Sequence, residues 1–261
     1  MSAPTTDLPA GTFTPAPGRA PLARMVRAQA AMELRLMLRN GEQLLLLVVI
    51  PVLLLVGFTT VHAVALPGRR IDFMVPGVFA VAVLSTAFTG QAIGTGFDRG
   101  YGVLKQLGAT PLPRAALLAA KALAVLAVEV AQVAVLSAVG LALGWHPHGD
   151  PLLVAALLVL ATATFAGIGL LMAGTLPARA TLAAANLVYL LLLGSGGLVY
   201  PLDDLPAGAR GLADLSPAAT LADALRDVLR DGGTGPARCW IALACWGAVA
   251  LAAAARWFRW E

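Results

Sequence analysis

Six long apolar runs constrain this chain more than any other feature of its sequence. A helix needs about 20 mostly apolar residues to cross a bilayer, and four of these runs contain no charged side chain. Charged residues make up 12% of the chain, against about 25% in a typical soluble domain, so a soluble globule of this size is excluded. The runs lie at about residues 44–66, 73–97, 116–144, 151–176, 180–202 and 239–256.

The runs have the pattern of helices rather than of strands. Lipid offers the backbone no hydrogen bonds, so a spanning segment must be a helix or part of a closed barrel. Strands of a membrane barrel alternate apolar and polar residues, and these runs do not alternate. The sequence therefore predicts an all-α membrane protein with six transmembrane helices over residues 44–256, followed by a short cytoplasmic end, 257–261.

The segment before the first run, residues 21–43, predicts an amphipathic helix. At 100° per residue its apolar side chains and its arginines fall on opposite faces, and only Glu33 interrupts the apolar face. Such a helix lies in the membrane interface, where anionic lipid attracts the basic face; the alternative is a solvated helix in a cytoplasmic extension. Residues 1–20 are rich in Pro, Thr, Ala and Gly, and we expect a disordered cytoplasmic tail there.

Lysine and arginine predict the orientation, because they are enriched in cytoplasmic loops. Twelve of the 18 basic residues fall on the side that holds residues 21–43, and six fall on the other side. Both termini and the loop 98–114 are therefore expected in the cytoplasm, and the long loop 203–238 outside. Since topology accounts for the net charge of +4, we predict no nucleic-acid partner.

The cytoplasmic loop 98–114 carries a small apolar stripe at helical spacing, formed by Val103, Leu104 and Leu107. Thr110-Pro111 and Pro113 end that turn and restart the chain. A short helix with an apolar stripe, joined rigidly to two spans, suits docking into the groove of a partner protein. The alternative is a plain connecting loop.

The outer loop 203–238 predicts a second amphipathic helix. Ser216 and Pro217 form a good start, with serine as N-cap and proline at the first position. Leu221, Leu225, Val228 and Leu229 follow at helical spacing, and Gly232-Gly233 ends the helix. We expect it to lie on the outer membrane surface or to dip into it. Upstream, the glycines of 194–197 should weaken the outer end of the fifth span.

The sequence carries no motif for catalysis, cofactor binding or metal ligation that we recognise. It lacks G-x-x-x-x-G-K-[ST], so it does not bind ATP through a P-loop. A zinc-protease H-E-x-x-H and a nucleophile elbow G-x-S-x-G are also absent. We therefore assign no catalytic residue, no cofactor and no metal to this chain.

Glu129 is a carboxyl well inside the third predicted span, where a charge costs about 2.5–3.5 kcal/mol on insertion scales. It should therefore face protein or a water-filled cavity. One interpretation makes it part of a substrate pathway or a proton-linked group, together with Gln132, Gln91 and Asn186. The other makes it a protonated carboxyl that joins two helices through a polar partner.

From about residue 22 onward, the chain resembles the membrane subunit of ABC-2 type exporters, the group that includes daunorubicin-resistance-type permeases. An amphipathic helix precedes six spans. The stretch Asp98-Arg99-Gly100…Leu104-Lys105-Gln106-Leu107…Thr110-Pro111-Leu112-Pro113-Arg114…Lys121 is similar to the family's coupling region, E-R-x-x-G-T-L-E-Q-L-x-x-T-P-L-S-R…K. The outer stretch Tyr200-Pro201…Leu205-Pro206…Ser216-Pro217…Ala224-Leu225-Arg226 is similar to its P-x-x-x-L-P…N-P…A-L-R signature. Asp98 stands where the family has Glu, and Lys105 where it has an acidic residue.

The resemblance implies an ABC-2 fold of the type V exporter kind in a bacterial plasma membrane. It also implies a separate dimeric ATP-binding subunit, which holds ATP and Mg²⁺, and a second permease copy or a homologous permease. The residues it assigns to coupling with the ATPase are Asp98, Arg99, Gly100, Leu104, Lys105, Leu107, Thr110, Pro111 and Arg114. Those it assigns to the outer gate are Pro201, Pro217, Leu221, Leu225 and Arg226.

Two alternatives belong to other functional classes. One is an integral membrane enzyme or cofactor-assembly protein without an ATPase partner, which would need a cluster of polar groups within the spans. The other is a proton-coupled transporter built on Glu129. Apolar span surfaces suit a drug, a lipid, a glycolipid or a haem-like compound equally, so the substrate stays open.

Overall fold

The structure is a computed structural model, and it describes residues 20–60, 68–198, 211 and 215–258. The all-α fold expected from the sequence is confirmed. The described helices are α1 (Leu22–Arg39), α2 (Gly41–Thr60), α3 (Arg70–Val83), a π-helical segment (Leu84–Gly90), α4 (Gln91–Gly100), α5 (Val103–Gly108), α6 (Arg114–Ala142), α7 (Pro151–Thr175), α8 (Ala178–Ser195), α9 (Pro217–Leu229) and α10 (Ala237–Trp257).

Five helical stretches in the described residues are long and apolar enough to cross a membrane. The longest has 31 residues, Arg70–Gly100, and runs through α3, the π-helical segment and α4 without a break. The other four are α6, α7, α8 and α10. The first predicted span corresponds to α2, which is apolar over Leu47–Thr60; its predicted end, 61–66, lies outside the described residues.

Some predictions concern residues that the structure does not describe. These are the disordered tail, apart from Ala20, the last three residues of the chain, and most of the outer loop before α9, including Pro201. The fifth span ends at Ser195 instead of residue 202, and a turn at Gly196-Gly197 follows it. The glycine cluster at 194–197 therefore stops this helix where the sequence predicted a weak end.

Helix α7 lies at the centre of the bundle and packs against α10, α4 and the π-helical segment. Small residues permit this close approach: a methyl group at Gly169 would lie 2.7 Å from the carbonyl oxygen of Phe88. Phe88 and Phe165 are fully buried beside this contact. The core is therefore built around one apolar helix whose glycines let neighbouring backbones touch it.

The two ends of the bundle are closed by two short helices. At one end, α5 follows α4 and packs against the start of α6 and the ends of α7 and α10. At the other end, α9 packs against α3, α7 and the start of α10. We refer to these as the α5 end and the α9 end.

Candidate functional site

The α5 end begins with a tight turn between α4 and α5. Gly102 has a φ of 76°, in the left-handed region that glycine adopts without strain. The backbone N–H of Tyr101 donates to the Phe97 carbonyl at 2.9 Å, and that of Gly102 donates to Arg99 at 3.0 Å. These bonds end α4 in the manner of a helix C-cap and fix the direction in which α5 starts.

The short helix predicted in the loop 98–114 is present as α5; Leu104 and Leu107 of its apolar stripe face the bundle, while Val103 is 40% exposed. Leu104 is fully buried and packs in a cluster with Leu117, Leu118, Leu170 and Phe258. Leu107 is partly buried against the same cluster. The expectation that this stripe docks into a partner is therefore wrong for Leu104, because its own chain already covers it.

The outer side of the turn and of α5 carries other residues. Tyr101 is 78% exposed, and its ring stacks on Phe97 with centroids 6.0 Å apart. Lys105, Gln106 and Pro111 are also exposed. The remaining residues predicted for coupling in this stretch, which are also exposed, are Gly100, Thr110 and Arg114.

Arg99 binds the end of another helix of the same chain. Its Nη1 donates to the carbonyl oxygens of Ala173 and Leu176, each at 3.1 Å. These carbonyls lie in and just after the last turn of α7, where a cation is favoured by the helix dipole and by unpaired carbonyl groups. Arg99 therefore fastens α4 to α7.

Asp98 and Lys121, two residues of the predicted coupling motif, form an ion pair together with a third residue. Lys121 is 3% exposed; its Nζ lies 2.8 Å from Asp98 Oδ2 and 2.9 Å from Glu33 Oε2. Glu33 belongs to α1, and it is the residue that interrupts the apolar face of that helix. The interruption is therefore a contact: the acidic side chain reaches the bundle, where it meets a buried cation.

A cavity of about 660 Å³ lies between α2, the π-helical segment, α4 and α8. Its walls are mostly apolar, with hydroxyl and amide groups among them. The Ser85 hydroxyl donates to the Val81 carbonyl at 2.9 Å and lies 3.3 Å from the hydroxyl of Tyr189. The polar residues that line the cavity are Asn40, Ser85, Thr89, Asn186 and Tyr189.

Of the four residues predicted for the pathway, Asn186 lines this cavity. Gln91 lies beside a smaller cavity of about 200 Å³ and donates to the Lys121 carbonyl at 2.8 Å. Gln132 accepts a hydrogen bond from Thr86 at 3.0 Å and donates to the carbonyl of Leu47. The Gln132 side chain thus joins α6 to the π-helical segment and to α2.

Glu129 is buried between α6 and α7 and is not among the residues that line either cavity. Its Oε2 contacts the hydroxyl of Thr162, which also lies 2.7 Å from the Leu158 carbonyl. A hydroxyl has one hydrogen, so a protonated Glu129 that donates to Thr162 satisfies both contacts. This geometry is that of the carboxyl joining two helices.

The α9 end contains the other predicted gate residues. Ser216 caps α9 by accepting from the Ala218 N–H, and Pro217 occupies the first turn, as the sequence predicted. Leu221 and Leu225 are fully buried in the core. The apolar face of α9 therefore packs on the bundle itself and not on a membrane surface, and the alternative that the helix dips into the membrane stays a prediction.

Arg226 fastens α9 to two other parts of the bundle. Its Nη2 donates to the carbonyls of Gly197 and Leu198 at 2.6 and 3.2 Å, and its Cζ lies 3.8 Å from the ring centroid of Phe73. Burial lowers the pKa of Arg226 to about 10, and nearby Asp223 opposes part of that shift. The side chain therefore keeps its charge at neutral pH.

Sequence reasoning missed the residues that only tertiary structure brings together. Glu33 gave one signal, an acid on an apolar face, and Lys121 another, a cation inside a predicted span. Neither signal identifies the other residue as its partner. Ser85, Thr89 and Tyr189 gave none, because isolated hydroxyls are common in membrane helices and bond to their own backbone.

Comparison with known proteins gives the family. No curated protein matches the chain. A family model described as ABC-2 type transporter matches residues 26–229, which is well over half of the 261 residues. The match includes α5, the ion pair at Lys121, the cavity and α9. This chain therefore belongs to the ABC-2 type transporter family, as the membrane component of a transporter.

Proposed function

We propose that this chain is the permease subunit of an ATP-driven exporter in the plasma membrane of a bacterium, with both termini in the cytoplasm. ATP and Mg²⁺ are bound by a separate, dimeric ATP-binding subunit, which docks at the α5 end. The substrate is a hydrophobic or amphipathic molecule, such as a drug, a lipid, a glycolipid or a haem-like compound.

The observation that carries the docking proposal is the two-sided character of α5. One side, at Leu104, is anchored to α6, α7 and α10. The other side of α5 exposes Lys105 and Gln106, and the turn before it exposes Tyr101. An exposed aromatic residue beside polar groups suits a protein interface, and the anchored side would pass any displacement of α5 into three helices. Arg99 adds a direct link from α4 to α7.

Docking is tested by co-purification with a candidate ABC-type ATP-binding subunit, sought first among the genes that adjoin that of the permease. The variant Tyr101→Ala with Lys105→Glu changes exposed residues only. We expect it to insert normally and to lose at least about tenfold in recovered ATPase, because loss of an interface hot spot costs about 2 kcal/mol or more.

Arg238→Glu is the matched control, since Arg238 is exposed at the α9 end and its reversal should leave recovery unchanged. Full recovery with the Tyr101 and Lys105 variant would place the docking site elsewhere. Equal loss with both variants would point to general damage.

The cavity between α2, α4 and α8 is our candidate for the translocation pathway. Its volume and its mostly apolar walls with a few polar groups are typical of small-molecule sites. Helix α8 borders it with Asn186 and Tyr189, and the same helix exposes Leu187, Leu190 and Leu191. We infer that a second permease copy, or a homologous permease, covers this face and completes the pathway.

Disulfide cross-linking tests the second copy. Leu190→Cys, in a chain with Cys239→Ala and Cys245→Ala, should give a covalent dimer upon mild oxidation in native membranes. Val249→Cys is the control, because Val249 is equally exposed on α10 but remote from the cavity lining. A dimer at Val249 and none at Leu190 would assign the interface to another face.

A further inference from the structure

Lys121 joins three helices through its ion pairs with two carboxylates. Its ammonium group bonds to Glu33 of α1 and to Asp98 of α4 at 2.9 and 2.8 Å, while its own helix is α6. The remaining oxygen of Glu33 accepts from Gln29 at 2.9 Å. Gln91 of α4 donates to the backbone carbonyl of Lys121, so α4 contacts this residue twice.

Helix α1 packs along α6, and the ion pair adds a charged contact to that packing. No residue of α1 is fully buried, and several of its apolar side chains, such as Leu22 and Leu36, are more than half exposed. Partly buried Met37 packs against the core. A buried lysine without its carboxylates would be an uncompensated charge, which proteins avoid strongly, so the Glu33 contact sets where α1 lies on α6.

Asp98 connects Lys121 to α5, the helix on which we propose that the ATPase docks. It lies in the last turn of α4, which ends at Gly100, and α5 begins at Val103. The Gly102 turn and its two backbone hydrogen bonds leave little freedom between α4 and α5. One ammonium group therefore ties the interfacial helix to the helix on which, in our proposal, the ATPase docks.

The ion pair also forms part of a cavity wall. Glu33, Asp98 and Lys121 line the smaller cavity of about 200 Å³. This cavity shares Asn40, Gly90 and Gly94 with the larger one, so the two adjoin. Movement of α1 against α4 would change the shape of both, because Asn40 connects α1 to α2 and lines the larger cavity.

We propose that Lys121 is a positioning residue that makes α1 and α5 move as one unit when the ATPase closes. This inference rests on the proposed function, because it assumes that displacement starts at α5. It assigns to α1 a part in the conformational change beyond attachment to the membrane surface. Lys121 touches no substrate in this proposal; it acts through Glu33 and Asp98.

The test measures the distance between α1 and the end of α5 in the assembled transporter. Nitroxide labels are placed at Ala28→Cys and Ala109→Cys, both exposed positions, in a chain with Cys239→Ala and Cys245→Ala. Distances between the labels are measured by pulsed electron–electron double resonance, without nucleotide and after trapping with ATP and vanadate. We expect one narrow distance distribution that is the same in both states.

Lys121→Met, which keeps length and removes charge, should broaden this distribution and make it differ between the two states. Glu33→Gln and Asp98→Asn each weaken one of the two contacts of Lys121, so each should broaden the distance distribution less than Lys121→Met does. Neither should broaden it further in a chain that already carries Lys121→Met, because substitutions of residues in contact are not additive. Lys121→Arg should restore the narrow distribution. Glu129→Gln is the control, a buried acid just over two turns further along α6, and it should change nothing.

A narrow and unchanged distribution in Lys121→Met overturns the inference, and so does failure of arginine to restore it, since fit rather than charge would then decide. Co-purification of the ATPase is measured on every sample. If the unaltered permease recovers no ATPase, the proposed function fails. If the ATPase is recovered normally and Lys121→Met leaves the distance distribution unchanged, only this inference fails.

Discussion

At the α9 end, a glycine of α3 lies against the backbone that follows α8, whereas at the α5 end a lysine and two carboxylates join three helices beside the apolar cluster of Leu104. A methyl group at Gly77 would overlap the carbonyl oxygen of Leu198, so α3 touches backbone there. Around Lys121 the helices leave a cavity instead. Steric contact of the first kind resists displacement, while helices joined to one another by charge beside open space can move together.

We therefore expect the α9 end to be rigid and the α5 end to move more readily. Interiors packed at crystal-like density transmit strain and resist small displacements. Helices that border a cavity have room to shift as a unit without loss of core packing. We therefore expect an added methyl group to lower stability at Gly77, near the α9 end, but not at Gly94, beside the cavity near the α5 end.

Gly77→Ala should have the largest effect on stability. Its Cβ has no room against the Leu198 backbone and lies 3.3 Å from Arg226, so α3 or the residues after α8 must shift. We expect a loss of about 3 kcal/mol or more, at the upper end for an overpacked core. Thermal unfolding of the detergent-solubilised protein, followed by loss of the monodisperse peak in size-exclusion chromatography, measures it.

Gly94→Ala is the matched change near the α5 end. Nothing lies within 4 Å of its Cβ position, and alanine favours a helix over glycine by up to about 1 kcal/mol. Its stability should therefore stay level or rise slightly. Equal losses at Gly77 and Gly94 would contradict the contrast between the two ends.

Arg226→Met should have an intermediate effect. It removes two hydrogen bonds to carbonyls and the contact with the Phe73 ring while keeping most of the apolar volume. We expect a loss of about 2 kcal/mol, from typical values for charged hydrogen bonds and buried cation–π contacts. The same unfolding assay measures it, and an unchanged midpoint would show that α9 is held by apolar packing alone.

Glu129→Gln should also have a small effect. Glutamine keeps the carbonyl and can donate to Thr162, so stability should change by no more than about 1 kcal/mol, the typical net value of one hydrogen bond. Transport into membrane vesicles should still follow ATP and be unaltered. Loss of transport with ATP hydrolysis retained would favour the proton-linked interpretation of this residue and would add a third functional region to the comparison.

Much of the fold follows from local sequence. Uncharged apolar runs predict helices because lipid leaves the backbone no other partner, and Ser216-Pro217 begins α9 where a side-chain cap and a fixed φ favour it. The glycines after Leu193 end α8 for the same local reason. These features need no knowledge of distant residues.

The side on which a short helix is buried depends on distant residues. Val103, Leu104 and Leu107 share one stripe, and a six-residue helix can turn it toward a partner or toward its own bundle. Phe258, at the far end of the chain, helps to cover Leu104. Local periodicity carries no information about that contact, which is why the prediction that Leu104 docks into a partner was wrong.

The ion pair at Lys121 also could not be predicted from local sequence. A cation in a predicted span and an acid on an apolar face are each anomalies in the local pattern. Their pairing requires α1 to fold back along α6, which depends on the short link at Asn40 between α1 and α2. Periodicity places each residue on a face and leaves the partner undetermined.

The π-helical segment Leu84–Gly90 has a geometric consequence for the long helix that contains it. A π turn accommodates one more residue than an α turn, so conversion between them swivels everything downstream by one residue step, about 100°. Both kinds of turn pair the backbone within the helix, as a hydrocarbon environment demands. The α4 part of this helix, which carries α5 at its end, can therefore rotate about the helix axis relative to α3 while both parts stay helical.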